Sequence, residues 1–401
     1  MTGIPRYRGH DGPALLSAGF RPFFLGAAVW GAIAVPLWLA VFAGAQDLPS
    51  ALPPLAWHAH EMVFGYGAAV VAGFMLTAIP NWTGRMPLQG MPLLGLVLLW
   101  LAGRAAVLLS QRIGAPAAAV VDLAFPLAFL GVVAREIVAG RNWRNLPMIA
   151  ALLSLFAGNL LVHLAALGIA DTAEAGNRLG IGTLLMLISL VGGRIVPSFT
   201  RNWLARRQPE AAVPAPFDAF DRAVLAATLL ALALWVAAPD GRATAAAALA
   251  AGFALIARLA RWRGVAAISD PLLLVLHLGY FWLGLGLMLL GFARFMPFLP
   301  QTAALHALTV GAIGTMTLAV MSRASLGHTG RPLEAGRLTI AIYALVTIAA
   351  VLRVAAPLAG TGYMLAIELA GTAWSGAFGL FALAYAPVWM LPRSAGDARP
   401  I

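Results

Sequence analysis

The sequence contains seven histidines and no cysteine, so imidazole is its principal means of holding a transition metal. Missing thiols exclude disulfides, thiolate metal sites, cysteine-ligated iron–sulfur clusters and covalently attached c-type haem. Two histidines, His60 and His306, recur at an offset of 246 residues, and so do Gly65/Gly311, Met75/Met321 and Thr83-Gly84-Arg85/Thr329-Gly330-Arg331. Asp122/Glu368 and Trp143/Trp389 keep the same offset. A bis-imidazole haem needs two histidines at equal depth on two helices running the same way, and His60 and His306 meet that requirement as axial ligands of haem iron. The plain alternative for each is an interfacial imidazole bonded to backbone or water.

Other residues of chemical interest fall in the same layer. His58, His163 and His277 are the candidates for a second haem or a copper ion, His277 lying deeper than the others. His58 and His60 do not share a helix face, so they serve different sites unless the chain there is non-helical. Glu61, Asp122 and Glu368 are candidates for proton handling. Arg104, Arg353 and Arg294 are candidates to bind haem propionates through paired hydrogen bonds. The competing reading pairs Arg104 with Asp122 and Arg353 with Glu368 as structural glue.

These side chains need a scaffold, and composition names it. The chain has 401 residues, 61% hydrophobic and 10% charged, with a mean hydropathy of +0.88. Soluble domains carry about 25% charged residues, so this is an all-α polytopic membrane protein. Apolar runs long enough to span a bilayer occur near 20–44, 60–81, 91–110, 117–138, 146–169, 177–198, 220–238, 243–260, 271–292, 303–322, 338–357 and 363–391. That predicts twelve transmembrane helices, the seventh and eighth being the weakest. Ala43-Gly44-Ala45 resembles a signal-peptidase site, but the preceding apolar run is too long for a signal, and the first span is expected to be retained.

All 26 cations are arginine, and 20 of them fall on one side of this topology. They include Arg6, Arg8, Arg21, Arg85, Arg258, Arg331 and Arg399. The positive-inside rule then makes both termini cytoplasmic. The net charge of +11 is topogenic and points to a lipid bilayer, with no nucleic-acid partner expected. The proline-bearing 6–7 connection (Pro209, Pro214, Pro216) is the one long linker, and His10 lies on the N-terminal tail. Tryptophans at span ends, Trp57, Trp82, Trp143, Trp203, Trp262 and Trp389, read as an interfacial belt. His328 is expected in the 10–11 loop.

A fainter copy at an offset of 117 maps His60, Gly65, Pro80 and Thr83 onto Asn177, Gly182, Pro197 and Thr200. We therefore expect a single membrane domain, 1–401, of three pseudo-repeats of four helices: 15–145, 146–264 and 265–393.

The blocks Ser17-Ala18-Gly19-Phe20-Arg21-Pro22-Phe23-Phe24, Trp57-His58-Ala59-His60-Glu61-Met62 and Pro80-Asn81-Trp82-Thr83-Gly84-Arg85 resemble the signatures of the NnrS family. Gly193-Arg194-Ile195-Val196-Pro197-Ser198-Phe199-Thr200 and the segment from His306 to Arg331 resemble it too. The resemblance implies a bacterial inner-membrane protein with non-covalent haem b and copper, linked to nitric oxide response and denitrification. The architecture is more distantly similar to subunit I of haem–copper oxidases and nitric oxide reductases, whose low-spin haem ligands also fall early in spans two and ten. Those enzymes carry further metal ligands on spans six and seven. Here span seven has no histidine and span six offers Asn177, so a binuclear centre does not transfer.

The expectation is a haem-binding redox protein that reduces or detoxifies nitric oxide with electrons from quinol or a small carrier. The alternatives are a non-catalytic protein that senses or sequesters nitric oxide, and a transporter or handling protein for copper, haem or a small molecule.

Overall fold

The computed structural model describes residues 11–208 and 210–393, and the sequence expectations for Arg6, Arg8, His10, Pro209 and Arg399 lie outside them. Helices are the only regular secondary structure among the described residues, with no strand. Twelve helices are long and apolar enough to cross a membrane. In chain order they are α1 (Phe20–Phe42), α2 (Pro54–Thr83), α3 (Met91–Leu108), α4 (Ala115–Ala139), α5 (Trp143–Ala166) and α6 (Ala173–Arg207), followed by α7 (Ala219–Ala237), α8 (Arg242–Ala260), α9 (Pro271–Ala293), α10 (Gln301–His328), α11 (Arg337–Leu358) and α12 (Gly360–Met390).

Local chemistry sets the ends of these helices. Pro54 opens α2, where its missing N–H costs nothing. Gly84 closes α2 in the left-handed region at φ 69°, donating its N–H to the Pro80 carbonyl. Asp218 caps α7 and is bound reciprocally by Asp221. The Arg261 guanidinium bonded to Asp218 holds that carboxyl well below the usual carboxylate range.

Three helices widen into π-turns: α2 at Glu61–Gly67, α6 at Ile188–Gly192 and α10 at Ala307–Gly314. Each π-turn inserts an extra residue and re-aims the side chains beside it. Gly65 and Gly311 lie within two of these turns, and each lies against a tryptophan of the preceding span. A Cβ on Gly65 would fall 3.0 Å from Trp30 Nε1, and one on Gly311 2.7 Å from the Trp282 ring.

The chain groups into two compact units. The first comprises the described parts of Met1–Gly180, Ala324–Arg331 and Phe381–Ile401, and the second Ile181–Arg323 and Pro332–Leu380. In the first, α1 lies on α2, α3 on α4 and α4 on α5. In the second, α8 lies between α7 and α9, and the π-turn of α10 packs on α9 and α11. Helix α2 buries 72% of its most apolar window against 33% for α4, which makes α2 an interior helix and α4 a peripheral one.

Three sequence expectations change. Helix α2 begins six residues before the expected start at 60, so His60 sits inside a helix rather than at its mouth. His328 is the last residue of α10 and not part of a loop, because the helical hydrogen bonds outlast the apolar run. Trp57, Trp262 and Trp389 are buried in protein (0, 2 and 0% exposed) and so cannot form a lipid-facing belt, whereas Trp143 at 56% can. Trp389 has a specific reason for burial: its indole N–H donates to Ser325 Oγ at 2.8 Å.

Close helix approach in the second unit rests on small residues, as is usual where lipid replaces water. A Cβ on Gly252 would sit 2.8 Å from the Gly284 carbonyl oxygen, and one on Gly284 2.7 Å from Ile256. Gly95 of α3 has nothing within 4 Å. Gly284→Val is therefore expected to cost about 1–3 kcal/mol through overpacking and to lower the thermal midpoint in detergent, while Gly95→Val leaves it unchanged. Equal midpoints for the two variants would refute this account of the α8–α9 contact.

Candidate functional site

Six polar side chains from four helices meet inside the first unit: His60 and Glu61 (α2), Arg104 (α3), Asp122 (α4), and Asn159 and His163 (α5). All are at most 4% exposed. Burial of this many polar groups in an apolar helix bundle requires that they satisfy one another. Arg104 does most of that work. One guanidinium nitrogen donates to both Glu61 oxygens at 2.7 Å, and the other donates to Asp122 Oδ1. Asp122 Oδ2 accepts from Asn159 Nδ2 at 2.8 Å and lies 2.9 Å from His163 Nε2.

His60 lies between the two carboxylates. Its Nδ1 is 3.0 Å from Glu61 Oε1, and its Nε2 is 2.8 Å from Asn159 Oδ1 and 3.3 Å from Asp122 Oδ2. Because Asn159 gives its amide hydrogens to Asp122, its oxygen must be the atom facing His60. Both ring nitrogens of His60 therefore face oxygens.

Local sequence explains the convergence. Asn159 and His163 are four residues apart and share one face of α5. Consecutive residues on a regular α-helix point about 100° apart, yet His60 and Glu61 both reach the cluster. The π-turn starting at Glu61 supplies the change of direction. Two glycines keep the space clear: a Cβ on Gly65 would lie 2.8 Å from both Arg104 Nη1 and Glu61 Oε2, and one on Gly103 would lie 2.7 Å from Asp122 Oδ1.

One nitrogen from each of His60 and His163 and one oxygen from Asp122 lie within 4.8 Å of one another. Two imidazoles and a carboxylate are a donor set for iron, copper or zinc. A metal ion fits these residues: it would take the place of the hydrogens between the ring nitrogens and Asp122, with Asn159 and Arg104 orienting the carboxylate from behind. A haem fits His60 poorly as placed: a single ion can share the space with neighbouring oxygens, whereas a macrocycle has no room at an Nε2 with Asn159 Oδ1 at 2.8 Å and Asp122 Oδ2 at 3.3 Å. His306 is different. It belongs to the second unit, and its Nδ1 donates to the Thr302 carbonyl at 2.7 Å.

The remaining expected site residues are dispersed. His58 points away from His60 and stacks on Trp38 with ring centroids 4.3 Å apart. His277 is buried singly, with Nδ1 3.0 Å from the Leu273 carbonyl and Nε2 3.4 Å from Thr200 Oγ1. Arg294 donates to the Asp240 carbonyl. The expected Arg104–Asp122 pair forms. No Arg353–Glu368 pair is present among the described residues, and Glu368 lies exposed on α12.

Sequence reasoning missed Asn159, whose signal was its helical spacing from His163. It also placed Arg258 in the cytoplasmic loop set, whereas Arg258 is fully buried. There its Nε donates to Asp221 at 2.7 Å, and its Nη1 to Tyr280 Oη and to the Ser189 carbonyl. The matched spacings Asp218/Asp221 and Arg258/Arg261 were the available clue.

Removing Arg104 leaves two buried carboxylates without a cation. Breaking such a pair costs about 3–5 kcal/mol, so Arg104→Ala is expected to unfold well below wild type in detergent, with Arg104→Lys intermediate because ammonium lacks the planar fork. A wild-type unfolding midpoint for Arg104→Ala would refute the role given to this residue.

No individual curated protein matches the chain. The family comparison is decisive: residues 14–393, nearly the whole chain, match the family described as NnrS protein. With its twelve long apolar helices and this match, the chain is a multi-pass membrane protein belonging to the NnrS family.

Proposed function

We propose that this NnrS family member is a redox protein of the bacterial inner membrane that acts on nitric oxide at a metal held by His60, Asp122 and His163. The observation that carries the reading is the convergence of three buried ligating atoms within 4.8 Å. The family's link to nitric oxide response supports the choice of substrate. A small apolar gas reaches such a buried site through the bilayer.

A metal in this cluster supplies a coordination position and a redox centre for the gas. The protein residues do the rest. Arg104 balances the carboxylates, Asn159 orients Asp122, and Glu61 borders His60 as the nearest group able to relay a proton. Reduction of two nitric oxide molecules consumes two electrons and two protons and yields nitrous oxide and water. A quinol or small carrier is the proposed electron source. Asp122 serves as a ligand in this reading, and exposed Glu368 takes no part at the cluster. Haem b, in the same proposal, would be held by His306 and would supply a second redox centre. The copper and haem assignments are thereby separated between two sites.

Protein purified in detergent without chelator, then loaded with copper or ferrous iron and washed, is expected to retain one ion per chain by elemental analysis. His163→Ala and Asp122→Asn should lose it, and His306→Ala should keep the ion while altering any Soret absorption. Wild-type protein that holds no ion and has no Soret band would overturn the proposal. Nitrous oxide formed steadily from nitric oxide and a reductant separates turnover from sequestration.

A further inference from the structure

Arg85 and Arg331 end matching Thr-Gly-Arg segments, yet their surroundings differ. Arg85 pairs with Glu136, which lies 51 residues further along the chain. The same step from Arg331 reaches Ala382. Among the described residues no carboxylate pairs with Arg331, and its Nη1 is buried without an acceptor.

Arg21, from the Phe-Arg-Pro block that opens α1, shares this end of the first unit and is 4% exposed. Its Nη1 donates to the carbonyls of Trp389 and Leu391 at 2.8 and 2.7 Å, closing the last turn of α12. Its Nε is also buried without an acceptor. Arg331 is close enough to Arg21 for the two charges to act on each other, and Arg393 acts in the same way on His328. The His328 ring lies 5.8 Å from the Phe20 ring, which holds the start of α1 against the end of α10. Topogenic arginines such as Arg206 and Arg207 are exposed to solvent. Arg21 is not, so membrane orientation alone does not explain it.

Buried guanidinium hydrogens without acceptors, on neighbouring like charges with no counter-ion among the described residues, call for an anion with several oxygens. We infer that Arg21 and Arg331 form a binding site for a phosphate group, carried by an anionic lipid headgroup or present as free phosphate. Both residues stand where chain leaves the apolar helices, the depth of lipid phosphates. Basic pockets between transmembrane helices bind such headgroups. The Arg-phosphate fork is planar and bidentate, which lysine cannot reproduce.

The test uses full-length protein delipidated in detergent and titrated with phosphatidylglycerol, phosphatidylcholine or inorganic phosphate, read by native mass spectrometry and thermal midpoint. Wild type is expected to bind phosphatidylglycerol, inorganic phosphate or both, with affinity at least tenfold weaker in Arg331→Ala. Preference for the lipid identifies a headgroup site, and equal stabilisation by inorganic phosphate identifies a free-anion site. Ala382→Glu, which supplies the carboxylate that Arg85 already has, should also abolish binding. Arg85→Ala should bind like wild type. Equal binding by wild type and Arg331→Ala, equal loss in Arg85→Ala, or no binding of either probe would overturn the inference. So would binding that emerges only in Asp397→Asn, because the occupant would then be this chain's own carboxylate.

Discussion

Inside the first unit everything depends on one guanidinium. Arg104 bridges Glu61 and Asp122, and without it two carboxylates would have to be neutral or absent in a region with little water to solvate them. Once Arg104 is in place, Asp122 can present an oxygen to His60, Asn159 and His163, and Glu61 can hold the other side of His60. The backbone accommodates this arrangement with a π-turn in α2 and with glycines at 65 and 103, where any side chain would strike the ion pairs.

The second unit solves a similar problem by different means. Arg258 is buried among Asp221, Tyr280 and the Ser189 carbonyl, again next to a π-turn and a glycine, Gly193. It lacks histidine at its centre, so it offers no soft nitrogen for a metal. Similar structural devices thus bring two imidazoles to a carboxylate in one place and give ion pairing alone in another. Lipid-embedded helices tolerate buried charge only when it is matched, and both networks obey that rule.

The arginines at the other end of the first unit behave differently from either network. Arg85 has its carboxylate, while Arg21 bonds to backbone carbonyls and, among the described residues, no carboxylate pairs with Arg21 or Arg331. A polar surface left incomplete among the described residues is where the proposed phosphate group would complete the hydrogen bonding.

The twelve spans were legible in the sequence because a bilayer imposes a minimum apolar length, and ends misjudged by a few residues at α2 and α10 reflect helical bonding continuing past the apolar run. Family membership was legible for a similar reason: short blocks around Arg21, His60 and Arg85 are specific in residue type. The pairing of Arg104 with Asp122 could be anticipated, since intramembrane charges must find partners. What the sequence could not decide is direction. His58 and His60 are two residues apart, and only the fold sends one to stack on Trp38 and the other into the carboxylates. The four-residue spacing of Asn159 from His163 put the two on one helix face, but which neighbours that face meets, and that Arg353 and Glu368 stay unpaired, was decided by helix packing. Apolar length is a property of a segment and is written in the sequence, whereas convergence of side chains from four helices is a property of their packing.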